Sequence, residues 1–127
     1  MPTYTRAAAT LPASDLGRAR KFYEEILGFK LKEDTPAGIF YEVGPHQIFL
    51  YESQYAGTNQ ATAATLEVAD LDAAVKELKD RGVTFEEYDF PGLKTVNSIA
   101  EMEGTTYRSA WLKDTEGNII SIGTTGS

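Results

Sequence analysis

The chain has 127 residues, 42% of them hydrophobic, and 19 acidic against 12 basic side chains leave a net charge of −7. That length makes one ordinary domain with a real core, no apolar run nears the ~18 residues that span a bilayer, and an acidic surface disfavours nucleic acid. The absence of cysteine removes disulfides, thiolate metal sites and a Cys nucleophile together, in keeping with a reducing, cytoplasmic setting, and the single histidine, His46, argues against His-rich metal sites and two-imidazole mechanisms.

The first residues, MPTYTRAAATL, lack the apolar stretch of a secretory signal, so none is expected. Thr5 to Ala13 reads as a first strand. Ser14 and Asp15 supply an N-cap, and Leu16, Ala19, Phe22, Tyr23, Ile26 and Leu27 recur at three- and four-residue spacing, which is one face of a helix. Gly28 ends it. Short strands follow at Phe29–Lys32, Ile39–Val43 and Gln47–Glu52, the last two joined by the turn Gly44-Pro45-His46, which makes His46 an exposed surface residue. After a polar linker, residues 54–60, the programme restarts. Ala63 to Val68 is a strand, Asp70 caps a helix whose apolar face is Leu71, Ala74, Val75 and Leu78, and Gly82 stops it. Strands at Val83–Tyr88, Tyr107–Leu112 and Ile119–Ile122 complete the chain, with Asp114–Asn118 as a tight turn in which Gly117 is free to take positive φ.

The restart is an internal repeat. Leu11-x-x-x-Asp15-Leu16 recurs as Leu66-x-x-x-Asp70-Leu71, Ala19 and Lys21 recur as Ala74 and Lys76, and Gly28 recurs as Gly82 after a one-residue deletion. The order is βαβββ twice: module one spans about 4–53 and module two about 61–124, in a single domain over 1–127. Module two also carries an insertion, residues 89–105, without clear secondary structure and long enough to serve as a lid or binding loop, or else a disordered surface hairpin. The fold expected is α+β, a curved, cup-shaped mixed sheet with the helices outside.

The paired modules, with LPASDLGRARKFYEEILGF near the start and LKDTEGNIISI near the end, resemble the vicinal oxygen chelate superfamily, which includes glyoxalase I, bleomycin-resistance proteins and extradiol dioxygenases. In its metalloenzymes each module gives two inward side chains to one divalent metal. One lies on the first strand, seven residues before the helix-capping aspartate, and one on the last strand. The resemblance therefore implies Ala8, Phe49, Ala63 and Ser121 as the four positions. None carries the histidine or glutamate that such a site takes, so no metal and no other cofactor is expected.

Alternation along the strands sorts the remaining residues. Gln47, Phe49 and Tyr51 share a face, as do Tyr107, Ser109 and Trp111, while Ala63 and Thr65 line up with Ser121. Arg6, inward by parity with Ala8, would meet an anionic group at the cup mouth or equally stand as a surface charge. A cup lined by Phe49, Tyr51, Thr65, Tyr107, Trp111 and Ser121 is an apolar pocket with a few polar groups; the same aromatics would equally fill the cup themselves or pack at a subunit interface. The expected function is metal-independent binding of an apolar or aromatic small molecule, with or without a positive charge. The alternative is a lyase- or isomerase-type enzyme with a relocated or absent metal site. The expected partners are a small molecule and a second copy in a homodimer, with neither nucleic acid nor membrane.

Overall fold

Two aspartates start the two helices. Asp15 accepts the Arg18 N–H at 3.0 Å and Asp70 accepts the Ala73 N–H at 3.0 Å, each satisfying an orphan donor of a first helical turn. In the computed structural model, which describes residues 1–124, these caps open matching modules. Module one runs β1 (Ala9–Ala13), α1 (Leu16–Lys21), β2 (Lys30–Thr35), β3 (Gly38–Val43) and β4 (His46–Glu52). Module two runs β5 (Thr62–Glu67), α2 (Leu71–Asp80), β6 (Asp89–Phe90), β7 (Leu93–Val96), β8 (Ile99–Glu101), β9 (Arg108–Lys113) and β10 (Ile119–Thr124). Residues 125–127 lie outside the described ones, as does the end of the domain expected over 1–127. No helix of the described residues is long and apolar enough to cross a membrane.

The sheets have orders β1-β4-β3-β2 and β5-β10-β9-β8-β7-β6. In each, the first strand runs parallel to the last strand of its module and the other pairs are antiparallel. This is the α+β cup expected, built as two curved sheets with the helices on one side. The helix-facing residues of both sheets share one core. Leu11, Ile39, Tyr41, Ile48 and Leu50 of module one meet Ala64, Leu112, Ile120 and Ile122 of module two, together with Ala19, Tyr23, Leu71 and Val75 from the helices. Each fully buried aliphatic side chain of this kind contributes about 1.5–3 kcal/mol.

Four expected elements differ. The first strand begins only at Ala9, so Arg6 and Ala8 precede it and strand parity does not orient them. The first helix is α-helical only to Lys21 and continues as a π-helical turn, Phe22–Ile26, in which the Leu27 N–H reaches the Phe22 carbonyl at 3.0 Å. Phe22 and Tyr23, at the start of this turn, are both buried in the core. The expected strand Val83–Tyr88 is reduced to a bridge between Phe85 and Leu112 and a hydrogen bond from the Glu86 N–H to the Trp111 carbonyl. The chain then leaves β9, because the Glu87 carboxylate is engaged elsewhere: it accepts the Ser98 N–H at 3.0 Å and the Thr95 hydroxyl at 2.7 Å. Those contacts order the insertion, which forms β6, β7 and β8 where an unstructured loop was expected.

The modules are joined by a polar clamp at the β9–β10 turn. Asp114 accepts the N–H groups of Glu116 and Asn118 through one oxygen, and the Tyr23 hydroxyl and the Asn118 amide through the other. Asn118 also donates to the Pro12 carbonyl at 2.8 Å. Glu116, whose side chain is fully buried, accepts from Ser14, the Asp15 N–H, Thr115 and two nitrogens of Arg18. Burial alone would raise the Glu116 pKa; the donors around it, Arg18 foremost, outweigh burial and hold it at about 2.

Candidate functional site

The faces of the sheets turned away from the helices form the concave side of the cup. On module one the register sets Phe40 directly opposite Phe49. Their ring centroids lie 4.5 Å apart, and Tyr51 continues the row 6.1 Å from Phe49 with the two rings nearly parallel, at 3°. All three are half-buried, so the row is a surface and not a plug. Gly38 lies beneath it: a Cβ there would come within 2.7 Å of the Phe49 ring and 2.5 Å of the Leu50 carbonyl oxygen. At the edge of the row the Arg6 guanidinium sits 5.3 Å from the centroid of Phe40 and donates to the side-chain oxygen of Gln47.

Module two is different. Trp111 is only 9% exposed, because the ordered insertion folds over it. It forms a small apolar cluster with Ala100 and Ile119, packed by Tyr88, Leu93 and Met102, and the Tyr88 ring meets it edge-on at 5.5 Å. Ser121 faces the same side as Trp111, directly opposite it on β10, and is buried. Its hydroxyl makes no hydrogen bond to another described residue. Thr65 is exposed and borders an open groove of about 780 Å³ between the start of β1, the turn Gly44-Pro45-His46 and the end of β5. Tyr107 precedes β9 and is 52% exposed.

The six residues expected to line one pocket therefore fall into separate settings. Phe49 and Tyr51 form a wall, Trp111 and Ser121 lie under or beside the insertion, Thr65 stands at the junction of the modules, and Tyr107 faces solvent. Two aromatics escaped the sequence reading, Phe40 in the wall and Tyr88 beside Trp111. Phe40 was available from the alternation of Ile39, Phe40 and Tyr41, and Tyr88 was hidden by the expectation of a regular strand through it.

The positions implied for a metal can be tested on the same geometry. Phe49 pairs with Thr10 across β1–β4, and Ser121 pairs with Thr65 across β5–β10. Thr10 and Thr65 lie two residues beyond Ala8 and Ala63, so the four positions correspond between modules. Two alanines and a phenylalanine have no donor atom, and one neutral hydroxyl is a poor ligand, so this set does not fit a divalent metal. Among the described residues no group of three or more His, Cys, Asp or Glu side chains is gathered in a metal-holding arrangement. His46 is exposed at the start of β4.

Residues 5–122 match the family model described as Glyoxalase/Bleomycin resistance protein/Dioxygenase superfamily. The fold is similar to a glyoxalase/bleomycin resistance protein/dioxygenase from Alicyclobacillus acidocaldarius, at 20% identity and a TM-score of 0.74 over 97% of this chain and 92% of that one. It is also similar to TnmS3, an antibiotic binding protein from Streptomyces sp. CB03234, at 21% identity and a TM-score of 0.66 over 98% of each chain. A third structure, lactoylglutathione lyase from Agrobacterium tumefaciens, is 16% identical with a TM-score of 0.72 over 97% of this chain and 95% of that one. No curated protein matches the chain.

Proposed function

The chain belongs to the Glyoxalase/Bleomycin resistance protein/Dioxygenase superfamily, and we propose that within it the protein binds an aromatic, cationic small molecule without a metal. One observation carries this reading. Phe49 stands where the resemblance calls for a metal ligand, and there it is the centre of the row Phe40–Phe49–Tyr51. A position that would hold an ion by an imidazole or carboxylate instead offers a π-face, which suits a flat ring or a cation. The net charge of −7 raises the local concentration of cations further. The similarity to an antibiotic binding protein supports a role in holding a molecule unchanged. The similarity to a lactoylglutathione lyase keeps an enzyme of lyase or isomerase type as the second reading.

The working form in this proposal is a cytoplasmic homodimer whose partner is the small molecule, with neither nucleic acid nor membrane involved. A thermal-shift screen tests the proposal, with Ni²⁺, Zn²⁺, Mn²⁺ and Fe²⁺ in one arm and aromatic cations in the other. A ligand at ~100 times its Kd stabilises by about 2.7 kcal/mol. The expected result is a shift with organic cations that is lost in Phe49→Ala. A saturable shift with one metal, abolished by chelator, sinks the metal-free reading. Recovery of a converted ligand from the complex moves the protein to the enzyme class.

A further inference from the structure

Resting on that reading of the cup, we propose that Arg6 is an internal stand-in for the ligand. The site then selects planar, delocalised cations of the guanidinium or amidinium type. Residues 1–8 belong to no strand or helix, and Met1 and Tyr4 are almost wholly exposed. Arg6 nevertheless has a defined place. Its guanidinium lies over Phe40 and donates to Gln47, so a flat cation meets one aromatic face and one neutral acceptor.

The choice of partner is what carries meaning. The sequence has five arginines. Arg18 pairs with Glu116, Arg20 with Glu24 and Asp34, Arg81 with Glu77, and Arg108 with Asp72 and Glu101. Among the described residues, Arg6 alone has no carboxylate partner, in a chain with 19 acids. The wall is therefore a cation site in its own right, already filled by a group from the chain. A contact this exposed favours the docked side chain only a few-fold over solution, so a competing cation can displace it.

The row supplies the rest of the site. With its cationic group over Phe40 and against Gln47, a ligand would extend its aromatic part along Phe49 and Tyr51, whose parallel rings continue the surface. The prediction has a sign. A cationic ligand competes with Arg6, whereas an anionic ligand would need it.

Benzamidine, its neutral isostere benzamide and benzoate test this by NMR titration of the full chain. In the free protein the Arg6 side-chain signals carry a ring-current shift that is lost in Phe40→Leu. Benzamidine should return those signals to solution values as it binds, and should bind two- to five-fold more tightly to Arg6→Ala. Gln47→Leu should weaken it, and benzamide should bind less well and show no dependence on Arg6. Benzamidine binding that leaves Arg6 in place, or that weakens in Arg6→Ala, overturns the proposal while the binding reading stands. Preferential binding of benzoate, lost in Arg6→Ala, makes Arg6 an anion receptor and overturns it too. If none of the three probes perturbs Phe49 in either protein, the reading of the wall as a binding surface fails and the stand-in fails with it.

Discussion

Phe49 and Ser121 occupy the same point of the two modules, each facing a threonine across the parallel pair that closes its sheet. One is the half-buried centre of an aromatic row, and the other is a buried residue whose hydroxyl makes no hydrogen bond to another described residue. The consequence is an unequal division of labour. Ser121→Ala should change stability by less than ~0.5 kcal/mol, since no hydrogen bond within the protein is broken. It should weaken a cup ligand by at most the few-fold that one hydrogen bond is worth, whereas Phe49→Ala should abolish the ligand-induced shift. Urea unfolding and thermal shift on both variants check this, and a large stability loss in Ser121→Ala would falsify the assignment.

Trp111 makes the opposite case. Its ring is covered by the insertion and by Tyr88, so truncation leaves a cavity. Trp111→Ala should cost about 3–5 kcal/mol in chemical denaturation. A cost under ~1 kcal/mol would show the ring to be free cup lining after all. Loss of binding in this variant is interpretable only at a temperature where it remains folded.

Gly38 is a test of the wall from below. Its φ of +151° and the absence of a side chain let the Phe49 ring and the Leu50 carbonyl close over it. Gly38→Ala should destabilise by about 1–3 kcal/mol and should displace the Phe49 ring, weakening aromatic ligands as well. Unchanged ligand affinity at reduced stability would mean that the ring tolerates the shift.

Glu116 predicts the acid behaviour. Its folded pKa, about 2, lies below the ordinary value of 4.5. A depressed carboxylate contributes stability that is fully present above its unfolded pKa and is lost as pH falls through the folded one. The loss should therefore occupy the interval from roughly pH 4.5 to pH 2, and should amount to on the order of 2–3 kcal/mol, allowing for the half-exposed Arg18 partner. Glu116→Gln should remove that stability at neutral pH and flatten the curve over the same interval. An unchanged pH profile in the variant would assign acid sensitivity to other carboxylates.

Most of the fold was legible because it rests on local signals. The two capping aspartates, the terminating glycines and the alternation of Ile120 and Ile122 with Ser121 all act within a few residues of one another. What failed to show was long-range. The π-helical turn carries Phe22 and Tyr23, both buried, and the Tyr23 hydroxyl reaches Asp114 in the other module. The insertion is ordered by Glu87, whose partners Thr95 and Ser98 lie on the far side of a hairpin. Its turns were nevertheless written in the chain, at Pro91-Gly92 and at Asn97-Ser98, where both residues take positive φ. For the site, period-two alternation found the faces but not their coverage. Trp111 was placed on the correct side of its strand without the segment that buries it, and Phe40 was passed over although it pairs directly with Phe49.

In the register that matches Phe49 with Ser121, the turn Gly44-Pro45-His46 is the counterpart of Glu116-Gly117-Asn118. One copy bolts the modules together through Ser14, Asp15, Arg18 and the Pro12 carbonyl, and linker residue Gly57 is pressed so closely against it that a Cβ there would lie 2.6 Å from the Glu116 backbone carbonyl oxygen. The other copy faces the end of β5 across an open groove. The duplicated turn is thus clasped to the opposite module in one copy and left open to solvent in the other. The two sheets therefore meet differently at their two ends, held by a buried carboxylate at one and separated by open solvent beside Thr65 and His46 at the other.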